Sequence, residues 1–263
     1  MRALAISLQS MKGRPMNKLL PVIVAMIAAA FSAGGAHANG TGSIKDAPLI
    51  MPTGWSGFYF GAGVGYGDSV IDNHYTETTG AFESTEGEGL RGGLGTVILG
   101  FDRQVHERWV IGAFVDFDWT DIELTYNDNV LGEQKLTLDW MWAVGGRAGY
   151  LFNPSTLIYF AGGFTQAHFD SDGYYDIVGF PGKSSVTHDG FFVAFGLEAM
   201  LTSNLFLRGE MRYAEYDGEI INSGDLGGGD SFTDEAEPTV WTGRFTLTYK
   251  IPHGHRTYED PMK

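Results

Sequence analysis

The sequence predicts an all-β fold, an eight-stranded antiparallel up-and-down transmembrane β-barrel. Three observations point to it: a basic and then uncharged leader ending in small residues, repeated segments in which apolar and polar side chains alternate, and connections that are alternately long and short.

The leader comes first. Residues 1–38 carry Arg2, Lys12, Arg14 and Lys18 and no acid, followed by the uncharged run 19–36 and then Ala36-His37-Ala38. That order reads as a signal peptide cleaved after Ala38. The run approaches the length that spans a bilayer, but the small-residue ending and the lack of a later apolar helix favour cleavage. A start at Met16 would give a signal of ordinary length. Residues 39–54 are short, polar and proline-containing and read as a periplasmic lead-in. The barrel is expected over residues 55–251, with residues 252–263 as a periplasmic tail.

Composition excludes several chemistries. The chain has no cysteine, which rules out a disulfide framework, a thiolate metal site and a cysteine nucleophile. Without the leader, 13 basic residues face 32 acidic ones, a net charge of about −19 that argues against nucleic acid as a partner. Such a surface repels anions unless divalent cations intervene.

Successive side chains of a strand point to opposite faces, and each segment sorts accordingly. Phe58, Phe60, Ala62, Val64 and Tyr66 oppose Tyr59 and alternate glycines. In residues 108–121, Ile111, Ala113, Val115, Phe117 and Trp119 oppose Gly112, Phe114, Asp116 and Asp118. In residues 136–151, Leu136, Leu138, Trp140, Trp142, Val144, Ala148 and Tyr150 are expected on one face, with Thr137, Asp139, Gly145, Arg147 and Gly149 on the other. Phe191, Val193, Phe195, Leu197 and Ala199 oppose Phe192, Ala194, Gly196 and Glu198. Leu205, Leu207, Met211 and Tyr213 oppose Arg208, Glu210 and Arg212. Last, Trp241, Phe245, Leu247, Tyr249 and Ile251 oppose Thr242, Arg244, Thr246 and Lys250. Residues 90–102 and 157–169 are apolar on both faces, and their orientation stays open.

A soluble β-sandwich also alternates, with its charged face in water. Here the charged faces hold Arg147, Arg208, Arg212, Arg244 and Lys250 against Asp116, Asp118, Asp139, Glu198 and Glu210. Five cations against five carboxylates, together with aromatic strand ends, point to a paired network inside a barrel whose apolar face meets lipid. The short connections, 103–107, 153–155 and 202–204, share one end, periplasmic by the usual asymmetry. The long ones, about 68–89, 120–135, 170–189 and 217–237, are then extracellular. They hold 21 of the 32 acids, with Lys135 and Lys183 as their only Lys or Arg residues.

No catalytic pattern emerges, and the reading is of a protein that is not an enzyme. Gly182-Lys183-Ser184 lacks the glycine a phosphate loop needs at Ile177. His74, His106, His168 and His188 are scattered without zinc or hydrolase spacing. His168 with Asp170, or His188 with Asp189, would reach the outer rim, although neighbours on a strand face opposite ways. His253-Gly-His255 reads as a solvated tail. Asp170, Asp172 and Asp176 resemble a partial calcium loop without its closing glutamate, so neither a metal site nor a cofactor is expected.

The stretch Trp55-Ser-Gly-Phe-Tyr-Phe-Gly-Ala-Gly-Val-Gly-Tyr66 resembles the opening strand of the opacity-type outer-membrane β-barrel proteins of α-proteobacteria. Residues 142–150, with Arg147 before Ala148-Gly149-Tyr150, resemble that family's fourth strand. Residues 190–218 resemble its characteristic hairpin through Gly196-Leu197-Glu198, Thr202-Ser203-Asn204 and Glu210-Met211-Arg212-Tyr213. The family's last strand usually ends on an aromatic residue, whereas here Ile251 is followed by residues 252–263. The resemblance implies export by the Sec route, insertion by the outer-membrane assembly machinery, and roles in envelope integrity and host-facing antigenicity. Some relatives are porin-like and others bind haemin. The expected partners are outer-membrane lipid and lipopolysaccharide, bridged by divalent cations, and host surface ligands. Two function classes follow: a structural, surface-interacting barrel with a plugged lumen, or a small diffusion channel.

Overall fold

The computed structural model describes residues 53–128, 132–176 and 179–251. The signal-peptide reading, most of the lead-in, and the tail with His253 and His255 lie outside the described residues. After a 3-10 turn at Thr53–Trp55 come nine strands: β1 (Gly57–Glu77), β2 (Phe82–Gln104), β3 (Trp109–Asp128), β4 (Gly132–Asn153), β5 (Thr156–Asp172), β6 (Ser185–Met200), β7 (Leu205–Tyr216), β8 (Glu219–Gly227) and β9 (Asp230–Lys250). Strands β1 to β7 pair antiparallel in chain order, β7 pairs with β9, and β9 returns to β1 from Tyr59↔Lys250 to Glu77↔Phe232. Eight strands therefore close a ring, and around its lower part closure removes the free edges an open sheet would carry.

The ninth strand, β8, lies outside the ring as the return arm of a hairpin on upper β9. One edge of β9 pairs with β7 up to Glu215↔Thr239 and with β8 from Glu219↔Ala236. Pro238 sits between the two, where no partner on that side asks for its missing N–H.

The expected long connections turn out to be mostly strand. The first shrinks to residues 78–81, because β1 and β2 stay paired to Thr76↔Phe82. These stretches read as loops because a strand that has left the lipid loses the apolar outer face that marks alternation, while its Thr, Tyr and Val residues keep their β preference. A barrel strand needs only about 9–11 residues to cross a bilayer. Strands β1 to β4 and β9 have 20 to 23, so nearly half of each projects beyond it. Strand β7, with 12 residues, stops near the membrane surface.

The outer surface carries an apolar belt of Ala62, Val64, Val97, Leu99, Val115, Val144, Val193 and Leu247. Aromatic residues bound it: Phe58, Trp109, Tyr150 and Tyr249 at the short-turn end, and Tyr66, Trp119, Tyr213 and Trp241 at the other. Charge reappears just past these girdles, in the Arg91–Asp68 pair at 2.5 Å and in Arg108, which donates to Tyr150 Oη at 3.0 Å. The two orientations left open by the sequence are now fixed. In β2, Leu94, Thr96, Ile98 and Asp102 point inward; in β5, Tyr159, Ala161, Thr165 and Phe169 do, while Phe160 is 68% exposed.

Strand β4 departs from the expected alternation. Leu136 and Leu138 are buried inside the ring, not on the lipid side with Trp142 and Val144. The phase changes at Asp139, where the ladder to β5 skips from Leu138↔Phe169 to Trp140↔His168. Asp139 is the extra residue of this bulge. It is exposed and does not join the interior charges.

These faces carry a depth-dependent prediction. Val144, 46% exposed at mid-belt, should lose about 2 to 4 kcal/mol on change to Arg, and Val70, beyond the Tyr66 girdle, only about 0 to 1. Urea midpoints of the two variants in phosphatidylcholine vesicles should differ in that order; equal losses would contradict the assigned belt.

Candidate functional site

The interior is filled by ten charged side chains in two layers. The layer nearer the short turns contains Asp102, Arg147, Glu198, Arg208 and Lys250, from β2, β4, β6, β7 and β9. Arg147 forks between Asp102 and Glu198, with its Glu198 contact at 2.6 Å. Arg208 reaches Glu198 at 3.1 Å, and Lys250 lies 2.9 Å from Asp102 and 3.0 Å from Glu198. In the second layer Arg212 contacts Asp116 at 2.6 Å and Glu210 at 3.1 Å. Arg244 contacts Asp118 at 3.0 Å, Asp116 at 3.7 Å and Glu210 at 3.9 Å.

Register makes these contacts possible. Glu198 pairs directly with Arg208, and Glu210 with Arg244. Asp102 and Arg147 sit two strands apart, each opposite Gly112. A Cβ at Gly112 would collide with the Asp102 carboxylate, so glycine lets the pair meet across β3. Gly196 does the same for Tyr159, whose ring occupies the space a Cβ would take.

Two tyrosines pack against the first layer, and one of them, Tyr159, joins it to the second. Arg147 and Arg208 lie 5.0 to 5.6 Å from the ring centres of Tyr59 and Tyr159, within cation–π range. Tyr159 Oη donates to Glu210 at 2.8 Å. The first layer has three cations and two carboxylates and the second has two and three, so each is off balance by one and the whole is neutral.

Nine of the ten charged residues singled out in the sequence stand here; Asp139 does not, and Asp102 takes its place. Asp102 was missed because β2 is apolar on both faces, as were Tyr59 and Tyr159 for want of a charge. The usable signal was register, since Asp102 is level with Arg147 through Gly112.

Bulky side chains flank the charged layers on both sides. Trp55 lies fully buried against Phe206, ring centres 5.1 Å apart, and its Nε1 donates to the Pro154 carbonyl at 3.0 Å. Lys250 Nζ is 4.7 Å from the Trp55 ring. Beyond the second layer, Ile71, Leu90, Ile122, Leu136, Phe169 and Val240 fill the ring. Between them a cavity of about 10 Å³ touches Asp118, Thr165, Tyr216 and Arg244, enough for about one water.

At the long-hairpin end, Asn222 on β8 donates from Nδ2 to the carbonyls of Tyr175 at 2.9 Å and Phe180 at 3.1 Å. Tyr175 is thereby held across the mouth, only 3% exposed. Asp234 lies opposite Asn222. Burial pushes its carboxyl up to about 6, against the lowering effects of a Glu235 backbone hydrogen bond and His74.

The remaining sequence candidates are dispersed. His168 sits on the outer surface, stacked on Trp140, with Asp170 at 3.3 Å and Thr187 Oγ1 at 2.7 Å. This chain of three lies on the outside of the ring, along the β5–β6 ladder. His188 points inward and Asp189 outward, where it accepts from Gln166 at 2.7 Å. Asp176 accepts from the Gly182 N–H at 2.8 Å, and Lys183 N–H donates to the Ile221 carbonyl. Among the described residues no group of three metal-ligating side chains converges.

A closed strand ring with an apolar belt, aromatic girdles and a charge-balanced interior defines a transmembrane β-barrel. The sequence matches the outer membrane protein beta-barrel domain family over residues 23–249, and the chain belongs to that family. It is a Gram-negative outer-membrane protein. It is similar to the 22 kDa outer membrane protein of Rhizobium leguminosarum bv. viciae, 29% identical over 177 residues, 65% of this chain and 69% of that one. Among solved structures, OprG of Pseudomonas aeruginosa covers 76% of this chain and 99% of its own at 13% identity and TM-score 0.43. Ail, the attachment invasion locus protein of Yersinia pestis, covers 74% and 99% at 13% identity and TM-score 0.41.

Two predictions follow from this interior and mouth. Removing one partner leaves a buried charge uncompensated, typically about 3 to 5 kcal/mol, so Glu210→Gln should lower the urea midpoint clearly. In double-mutant cycles it should couple most to Arg212→Met, less to Arg244→Met and least to Arg208→Met; equal or zero coupling would mean the distances carry no energy. Asp234 should act in the opposite sense with pH. Its folded pKa is raised, so the stability it contributes is complete below about 4 and is lost as pH rises through about 6. Asp234→Asn should flatten that part of the stability curve, and an unchanged slope would exclude Asp234 as its source.

Proposed function

We propose that the protein is a structural barrel with a largely sealed lumen, which contributes to envelope integrity and presents its long-hairpin end outside the cell for surface or host interaction. The observation that carries this reading is the neutral set of ten interlocked charges between Trp55 and the apolar layer at the mouth. A lumen of eight strands is wide enough only for side chains, and these fill it. The short turns would face the periplasm, following the usual asymmetry of such barrels. The acid-rich hairpins would then meet lipopolysaccharide through divalent cations, and the assembly machinery would be the partner for insertion.

Planar-bilayer recordings test the sealed lumen. The wild-type barrel should give no stable conductance steps, and Glu210→Gln should give a small leak. Ohmic steps from the wild type would instead favour a small diffusion porin.

A further inference from the structure

The β2–β3 ladder ends at Arg91↔Glu123. Both neighbouring hairpins run on past it, β1–β2 to Thr76↔Phe82 and β3–β4 to Asp128↔Gly132. Among the described residues, β2 from Phe82 to Leu90 is therefore paired through β1 alone, and β3 from Leu124 to Asp128 through β4 alone. Two strand edges flank a cleft, about 30 Å and 17 Å long at ~3.3 Å per residue. Three other seams stay shut further up: β1–β9 to Glu77↔Phe232, β5–β6 to Asp170↔Ser185, and β4–β5 to Leu136↔Ser171 with a further bridge from Lys135 to Gly173; β6–β7 ends at Gly190↔Tyr216, beside the β8 hairpin.

Unpaired strand edges are templates for another chain, and proteins usually blunt them with lysine, proline or bulges. The β2 edge has one register shift, opposite Asp72, and neither edge contains a lysine or proline. Their backbone groups suit an extended chain. The surrounding side chains set its charge: Glu83, Asp121 and Glu123 are exposed. The two cations at the foot of the cleft are already engaged, Arg91 with Asp68 at 2.5 Å and Lys135 with Glu123 at 2.6 Å. Exposed Phe82 and Tyr126 offer apolar contacts.

We propose that this cleft docks an extended, lysine- or arginine-bearing segment of a partner protein, which adds to the β2 edge by backbone pairing. The proposal rests on the outward-facing reading of this end. The test uses the full barrel in phosphatidylcholine vesicles free of lipopolysaccharide. The probe is a short ¹³C-carbonyl-labelled peptide alternating lysine with threonine, valine and tyrosine. Two twins serve as controls, one with glutamate for lysine and one with N-methylated backbone amides. The parent should bind at least about tenfold more tightly than either twin, and its labelled amide band should shift to the frequency of a paired strand. Adjacent N–H groups point to opposite sides of a strand, so one of Ser84→Pro and Thr85→Pro should keep the β1 ladder and lose binding. A methylated twin that binds as well as the parent, or a glutamate twin that does, would overturn the proposal. Protease cleavage at residues 78–81 on intact cells reports orientation separately. Cleavage without peptide binding would sink the docking site alone, whereas protected cells would remove the outward-facing reading with it.

Discussion

An eight-stranded ring leaves an interior about as wide as its own side chains, and the rest of the molecule answers to that narrowness. Every large inward group needs a small one opposite. Tyr159 lies on Gly196, and Asp102 meets Arg147 past Gly112. The same confinement denies buried charges most of their water, so each cation must find a carboxylate inside the ring. Neither layer balances alone. Neutrality is reached only across Tyr159, which lies against Arg147 and Arg208 and donates to Glu210.

The interior charges also define which face is inside. In lipid an apolar outer surface has no preference for one register over another, since a slipped strand would still be apolar there if both faces were. A shift of one residue in β7 or β9 would instead turn Arg208, Arg212, Arg244 and Lys250 outward. Arg or Lys at mid-membrane costs about 2 to 4 kcal/mol each. The ion pairs thus act through specificity as much as through stability, consistent with buried pairs being weak net stabilisers.

The ring, its strand number and nine of the ten interior charges were legible in the sequence because alternation is strong where one face meets lipid and the other a charged lumen. It failed in three places for three physical reasons. Asp139 was misplaced because a bulge changes the phase of β4, and the flanking Leu138 and Trp140 are both apolar, so nothing in the pattern marks the change. Asp102 was missed because Leu94 and Ile98 give β2 an apolar inner face too. The hairpin extensions read as loops because residues such as those from Asp68 to Glu77 have no lipid side to declare them. Register, which only the fold supplies, resolves all three.

Pro238 has a consequence for how this surface can vary. It stands where β9 has left β7 and not yet met β8, so the hairpin beyond it shares one strand with the ring and none of the interior charges. Length and sequence of the β8 arm can drift without disturbing closure of the wall, whose β1–β9 seam keeps β9 from Phe232 to Glu237. The chain thereby separates a conserved-by-physics cylinder from a replaceable crest, a division that would let the exposed end diverge quickly while the membrane-embedded part stays fixed.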